Sequence, residues 1–76
     1  MEEKFIELFA ENVEVEDTST LNRETVFRDL EEWDSLAFLS VIAFIDEEYD
    51  VIIEGNDFEK IKTIGELIDE IEKRKN

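Results

Sequence analysis

From Leu36 to Ile45 the chain runs without a charged residue, a glycine or a proline. The stretch is interrupted only by Ser40 and is too short to cross a bilayer. Ser35 stands where a helix N-cap belongs, and the pattern continues to about Tyr49, so the segment predicts one uninterrupted helix. That helix is apolar nearly all round and has no ordinary solvated face over those residues. It must lie at the centre of a helical packing, present an apolar surface to something other than water, or do both.

The rest of the chain supplies partners for it. Phe5, Leu8 and Phe9, with Ile6 beside them, mark one face of a first helix. Val13 to Glu16 alternates, but no second alternating segment exists to pair with it. Residues 13–34 read as a long connection with a single helical turn around Arg23 to Val26, pinned by Leu21, Val26, Phe27 and Leu30. Asn56 to Ile61 predicts a short third helix. Thr63-Ile64-Gly65-Glu66 has the capping-box form, and Ile64, Leu67, Ile68 and Ile71 follow at helical spacing. The expectation is all-α: a four-helix bundle of three main helices and one short third helix, forming a single domain over residues 1–76. A chain of 76 residues buries only about 60% of its unfolded surface, so its core is thin.

Several chemistries are set aside by what is missing. The chain has no cysteine and no histidine, hence no disulfide, no zinc-thiolate centre and neither of the commonest neutral-pH catalysts. Asp50 opens a frame in which Gly55 takes the sixth position of a calcium loop. Ile52 and Ile61 then occupy positions that need oxygen ligands, so no metal site is expected. Carboxylates abound, but a domain this small offers no evident cleft to hold a substrate between two of them, and an enzyme is not expected. A net charge of −15 opposes contact with nucleic acid and with anionic membranes, and favours partners with basic patches. Eleven acids and no base lie between Asp29 and Glu59. The start Met1-Glu2-Glu3 has the wrong charge for a secretory leader, and a monomeric cytoplasmic protein is expected.

Trp33-Asp34-Ser35-Leu36 is the remaining constellation. Serine ahead of a helix is ordinarily a cap and nothing more. In its context the segment resembles the acyl carrier protein family, whose D-S-L motif stands here as Asp34-Ser35-Leu36. Phe27-Arg28-Asp29-Leu30 resembles the family's approach to the motif. Asp46 to Asp50 resembles the acidic end of its second helix, and Glu59 to Ile64 its step from third to fourth helix. The resemblance runs over essentially the whole chain and implies an acyl-carrier-like fold. It also implies 4′-phosphopantetheine, derived from coenzyme A, attached to Ser35 as a phosphodiester.

Under that resemblance the protein is a non-catalytic carrier of acyl or related thioesters in fatty acid, lipid, polyketide or related biosynthesis. Its partners would be a phosphopantetheinyl transferase and acyl-loading and acyl-transfer enzymes. Asp34 would flank the attachment site and Leu36 would turn inward to anchor the helix start. An acyl chain is expected between the second and third helices, near Leu39, Ile42, Ala43, Ile53 and Ile61. Partner docking is expected on Ala37, Ser40, Val41, Phe44, Asp46 and Glu47. Ala37 and Ser40 stand where carriers of fatty acid synthesis typically have acids, and Trp33 where many have a small residue. Both point to a specialised member. The alternative is an acidic interaction module or nucleic-acid mimic with no prosthetic group. Such a module would account for the charge but not for the motif in its matching surroundings.

Overall fold

Phe5, Phe9, Ala10 and Val13 share one face of a 3.6-residue period, and this is the face that α1, Glu2–Val13, buries. The computed structural model describes residues 2–75. α1 stops as Glu14 enters the left-handed region (φ 64°) and the Val15 amide donates to the Ala10 carbonyl at 2.9 Å. This is a Schellman-type ending at a position where glycine is more usual.

Around Arg23 to Val26, where a helical turn was expected, the connection makes a single turn closed by the Thr25 amide on the Asn22 carbonyl at 3.1 Å, and its two 3₁₀ turns are Thr18–Thr20 and Phe27–Asp29. The first forms where Asp17 accepts from the Ser19 amide at 3.0 Å, and the second where the fully buried Phe27 anchors the chain. Between them the backbone is committed elsewhere. Ile64 donates to the Thr25 carbonyl at 3.0 Å and Gly65 to the Arg23 carbonyl at 2.9 Å, beside a lone antiparallel bridge of Val26 with Thr63. The long connection therefore crosses the start of the last helix. Leu21 and Phe27 are buried there and Leu30 is partly buried, whereas Val26, expected as a pin, is exposed.

α2 spans Ser35–Tyr49 and buries Ala37, Val41, Phe44 and Ile45 along one side. Its end is closed by Asp50 in the left-handed region, whose amide donates to the Asp46 carbonyl at 2.9 Å. α3, Gly55–Glu59, is the short helix, and α4, Ile64–Arg74, is the last. The capping box of α4 is real but shifted. Thr63 Oγ1 accepts from the Glu66 amide at 3.1 Å, while the Glu66 carboxylate accepts from Lys62 rather than from Thr63. Three main helices and a short third one make up the expected all-α architecture, with no strand among the described residues.

One core serves all four helices: Phe5 and Phe9 from α1, Val41 and Ile45 from α2, Phe58 from α3, and Ile64, Leu67, Ile68 and Ile71 from α4. Among the described residues no helix is long and apolar enough to cross a membrane.

Candidate functional site

The start of α2 is built by Asp34, not by Ser35. Asp34 is the N-cap, in extended backbone, and its Oδ1 accepts from the Ala37 amide at 2.8 Å while its carbonyl accepts from Phe38 at 3.0 Å. The expected cap, Ser35, is instead the first helical residue. That one-residue difference matters chemically. A capping serine would spend its hydroxyl on the backbone, whereas Ser35 is exposed and relieved of that role. The first amides of α2 lie beside it at the positive end of the helix dipole.

A groove of about 450 Å³ adjoins Ser35. Trp33, Asp34, Ser35 and Phe38 form one side, Gly55, Phe58 and Glu59 of α3 the other, and Arg28 completes it. Beneath it the aromatic rings are close-packed. Trp33 lies parallel to Phe9 at 6.1 Å and to Phe58 at 6.2 Å, with Phe27 4.9 Å away, and Phe38 meets Phe58 edge-on at 5.2 Å. Arg28 donates to the Ile61 carbonyl and, at 2.7 Å, to the Phe58 carbonyl, with its guanidinium over the rings of Phe27 and Phe58. A larger groove of about 510 Å³ crosses α3 and α4, away from Ser35. There Arg74 pairs with Asp57 and with Glu70.

The other expected site residues are redistributed by the rotation of α2. Leu36, expected to turn inward, is 73% exposed, and Leu39, expected in an acyl pocket, is 59% exposed. Ala43 is exposed as well and Ile42 is partly buried, while Ile53 and Ile61 are buried in the core. None of these five lines the groove at Ser35. Of the expected docking residues, Ala37, Val41 and Phe44 are buried, because they face α1, where Phe5 meets Phe44 at 5.4 Å. Asp46 and Glu47 are exposed and Ser40 is partly so. The outward stripe of α2 is thus Leu36, Leu39, Ala43 and Glu47, at helical spacing from Ser35.

Arg28, Phe38 and Phe58 were missed as groove residues. Phe38, one turn after Ser35, carried a readable signal. Arg28 and Phe58 reach the groove only through the tertiary fold.

These features fit a phosphorylated arm on Ser35: an exposed hydroxyl at a helix N-terminus, a cap that leaves it free, and a groove beside it with one guanidinium. Among the described residues no group of three or more metal-capable side chains converges. A family model described as phosphopantetheine attachment site matches residues 3–71.

Proposed function

The chain belongs to the phosphopantetheine attachment site family, and on that premise we propose that it is a carrier loaded through Ser35. The observation that supports this best is the exposed Ser35 as first residue of α2, with Asp34 taking the capping role. In the loading step the Ser35 oxygen bonds to the phosphorus that carries pantetheine in coenzyme A. The anhydride bond to adenosine 3′,5′-bisphosphate breaks, and the hydroxyl proton passes to a base of the transferase. Once bound, the arm supplies the thiol that this cysteine-free chain lacks, as the site of a thioester with an acyl or related group.

This chain's own residues position and present. Asp34 holds the first turn of α2 through the Ala37 amide, fixing where the Ser35 oxygen emerges. The free amides of that turn favour the phosphodiester's negative charge. The exposed stripe Leu36, Leu39 and Ala43, with Asp46 and Glu47 at its far end, is the face offered to the transferase and to acyl-transfer enzymes. Because that face is apolar near Ser35, we read the protein as a specialised carrier. Leu39→Glu, at an exposed position, is expected to improve loading by fatty acid synthesis enzymes. Equal or poorer loading would count against a specialised face.

Incubation with coenzyme A, magnesium and a broad-specificity phosphopantetheinyl transferase, followed by intact mass measurement, tests the reading. The expected result is a gain of one phosphopantetheine that Ser35→Ala abolishes. A folded protein that gains nothing with several transferases would favour the interaction-module alternative.

A further inference from the structure

The space between α2 and α3, where a carried chain would have to enter the core, is already filled. Phe38 of α2 meets Phe58 of α3 edge-on at 5.2 Å, with planes at 78°. Behind that contact Trp33 is held between Phe9 and Phe58, its plane within 6° of both. Phe9 and Phe58 are 0% and 1% exposed, so a chain entering here would have to displace buried rings. Ile53 and Ile61, the inner residues of the expected shelter, are buried in the same core. What stays open beside Ser35 is a surface groove whose rim carries Asp34, Glu59 and Arg28. Methylenes laid there would cover part of its aromatic floor of Trp33, Phe38 and Phe58 but keep their outer side in water, and so would gain less than in the core. Arg28 uses part of its guanidinium on the Phe58 and Ile61 carbonyls and has N–H groups to spare.

We propose that Trp33, Phe38 and Phe58 close the core to whatever Ser35 carries, so that the cargo is a short or polar acyl group held outside it. The proposal rests on the carrier function argued above. The rings act as a size filter: a short cargo loses nothing by staying outside, whereas a long aliphatic chain is left in water. The aromatic plug thereby sets specificity through the stability of the loaded state, without touching the reacting thiol.

The test compares arms bearing acetyl, butyryl and octanoyl groups, transferred to Ser35 from the corresponding coenzyme A thioesters and verified by intact mass. Burying each additional methylene would raise the melting temperature of a domain this size by roughly 3 °C or more. For the unaltered protein the expected result is a rise from acetyl to octanoyl that stays well below that increment per methylene. Phe38→Ala, which removes a partly exposed ring at the mouth, should make the melting temperature climb more steeply from acetyl to octanoyl. A climb by that full increment per methylene in the unaltered protein would overturn the proposal. So would a series no steeper in Phe38→Ala, because the rings would then not be what excludes the chain. Failure of every arm to load would be visible in the mass alone and would remove the carrier reading itself, and this proposal with it.

Discussion

Gly65 shows how a single residue is fixed by an approach the sequence does not display. Its amide donates to the Arg23 carbonyl at 2.9 Å, and a Cβ there would lie 2.8 Å from that same oxygen and 2.9 Å from the Arg23 Cβ. The oxygen is backbone and is tied into the contact with α4. Gly65→Ala is therefore expected to destabilise by about 1–3 kcal/mol in urea unfolding, although alanine is the better helix former. An unchanged midpoint would show that the connection yields. Tyr49 poses the opposite case. Its hydroxyl is buried without a hydrogen-bond partner, and burial first, then the charge of Glu48, raises its pKa above the ordinary 10.0. With the folded pKa above the unfolded one, the associated stability is complete below pH 10 and is lost as pH rises through the folded value. Tyr49→Phe should flatten that alkaline decline and leave stability at pH 7 unchanged or higher by about 1 kcal/mol. A lower urea midpoint at pH 7 would mean that the hydroxyl has a partner in solution.

At the scale of elements, α3 is the piece that needs explaining, because a helix of five residues has little intrinsic stability. Two arginines from elsewhere hold it. Arg28 takes the carbonyls of Phe58 and Ile61 at its C-terminal end. Arg74 of α4 takes the Asp57 carboxylate at 3.0 Å in its first turn and the Ile52 carbonyl at 2.9 Å just before it. Hydrogen bonds with Glu70 and Asp57 hold the Arg74 pKa above its ordinary value, so the clamp stays charged at any working pH. Phe58, 1% exposed, supplies the apolar anchor between the two. Arg28→Met keeps the stem over the rings but removes both donors. It is expected to speed amide hydrogen exchange across residues 55–61 and to cost about 1–3 kcal/mol of stability. Exchange at its unaltered rate would leave Phe58 packing and Arg74 as the restraints. The groove beside Ser35 shares α3 as a wall, so this clamp also sets its width.

Across the whole molecule a net charge of −15 acts on a domain whose Cα radius of gyration is 11.2 Å. That is comparable with the Debye length of about 8 Å at physiological salt, so the acids repel one another incompletely screened. Only eight bases oppose them, and all three arginines are spent on cross-links. Arg23 joins Glu2 of α1 to Asp69 of α4, Arg28 joins a 3₁₀ turn to α3, and Arg74 joins α4 to α3. The melting temperature should rise as sodium chloride is raised from 10 to roughly 300 mM, because screening relieves more repulsion than it weakens attraction. Magnesium at matched ionic strength should add nothing beyond that, given that no three metal-capable side chains converge among the described residues. An extra rise with magnesium would point to a specific cation site.

What the sequence determined by itself is local and periodic. Continuous helical pattern without proline placed α2 to its last residue, Tyr49, and Thr63 with Glu66 announced the start of α4. The spacing of Ile64, Leu67, Ile68 and Ile71 gave a buried face because polar residues fill the rest of that helix. α2 offered no such contrast. With apolar residues on nearly every side, its rotation about its own axis is invisible in the pattern, since any face would satisfy burial equally well. Only packing chooses: Phe5 against Phe44 and the buried Val41 and Ile45 turn one side to the core and leave Leu36 and Leu39 in water. The groove at Ser35 has the same origin. Arg28 and Phe58 lie thirty residues apart in the chain and become neighbours only when α3 folds back onto α2 and the second 3₁₀ turn. A side chain's chemistry is written in the sequence, but which side chains share a surface depends on contacts between distant segments, and those exist only in the folded chain.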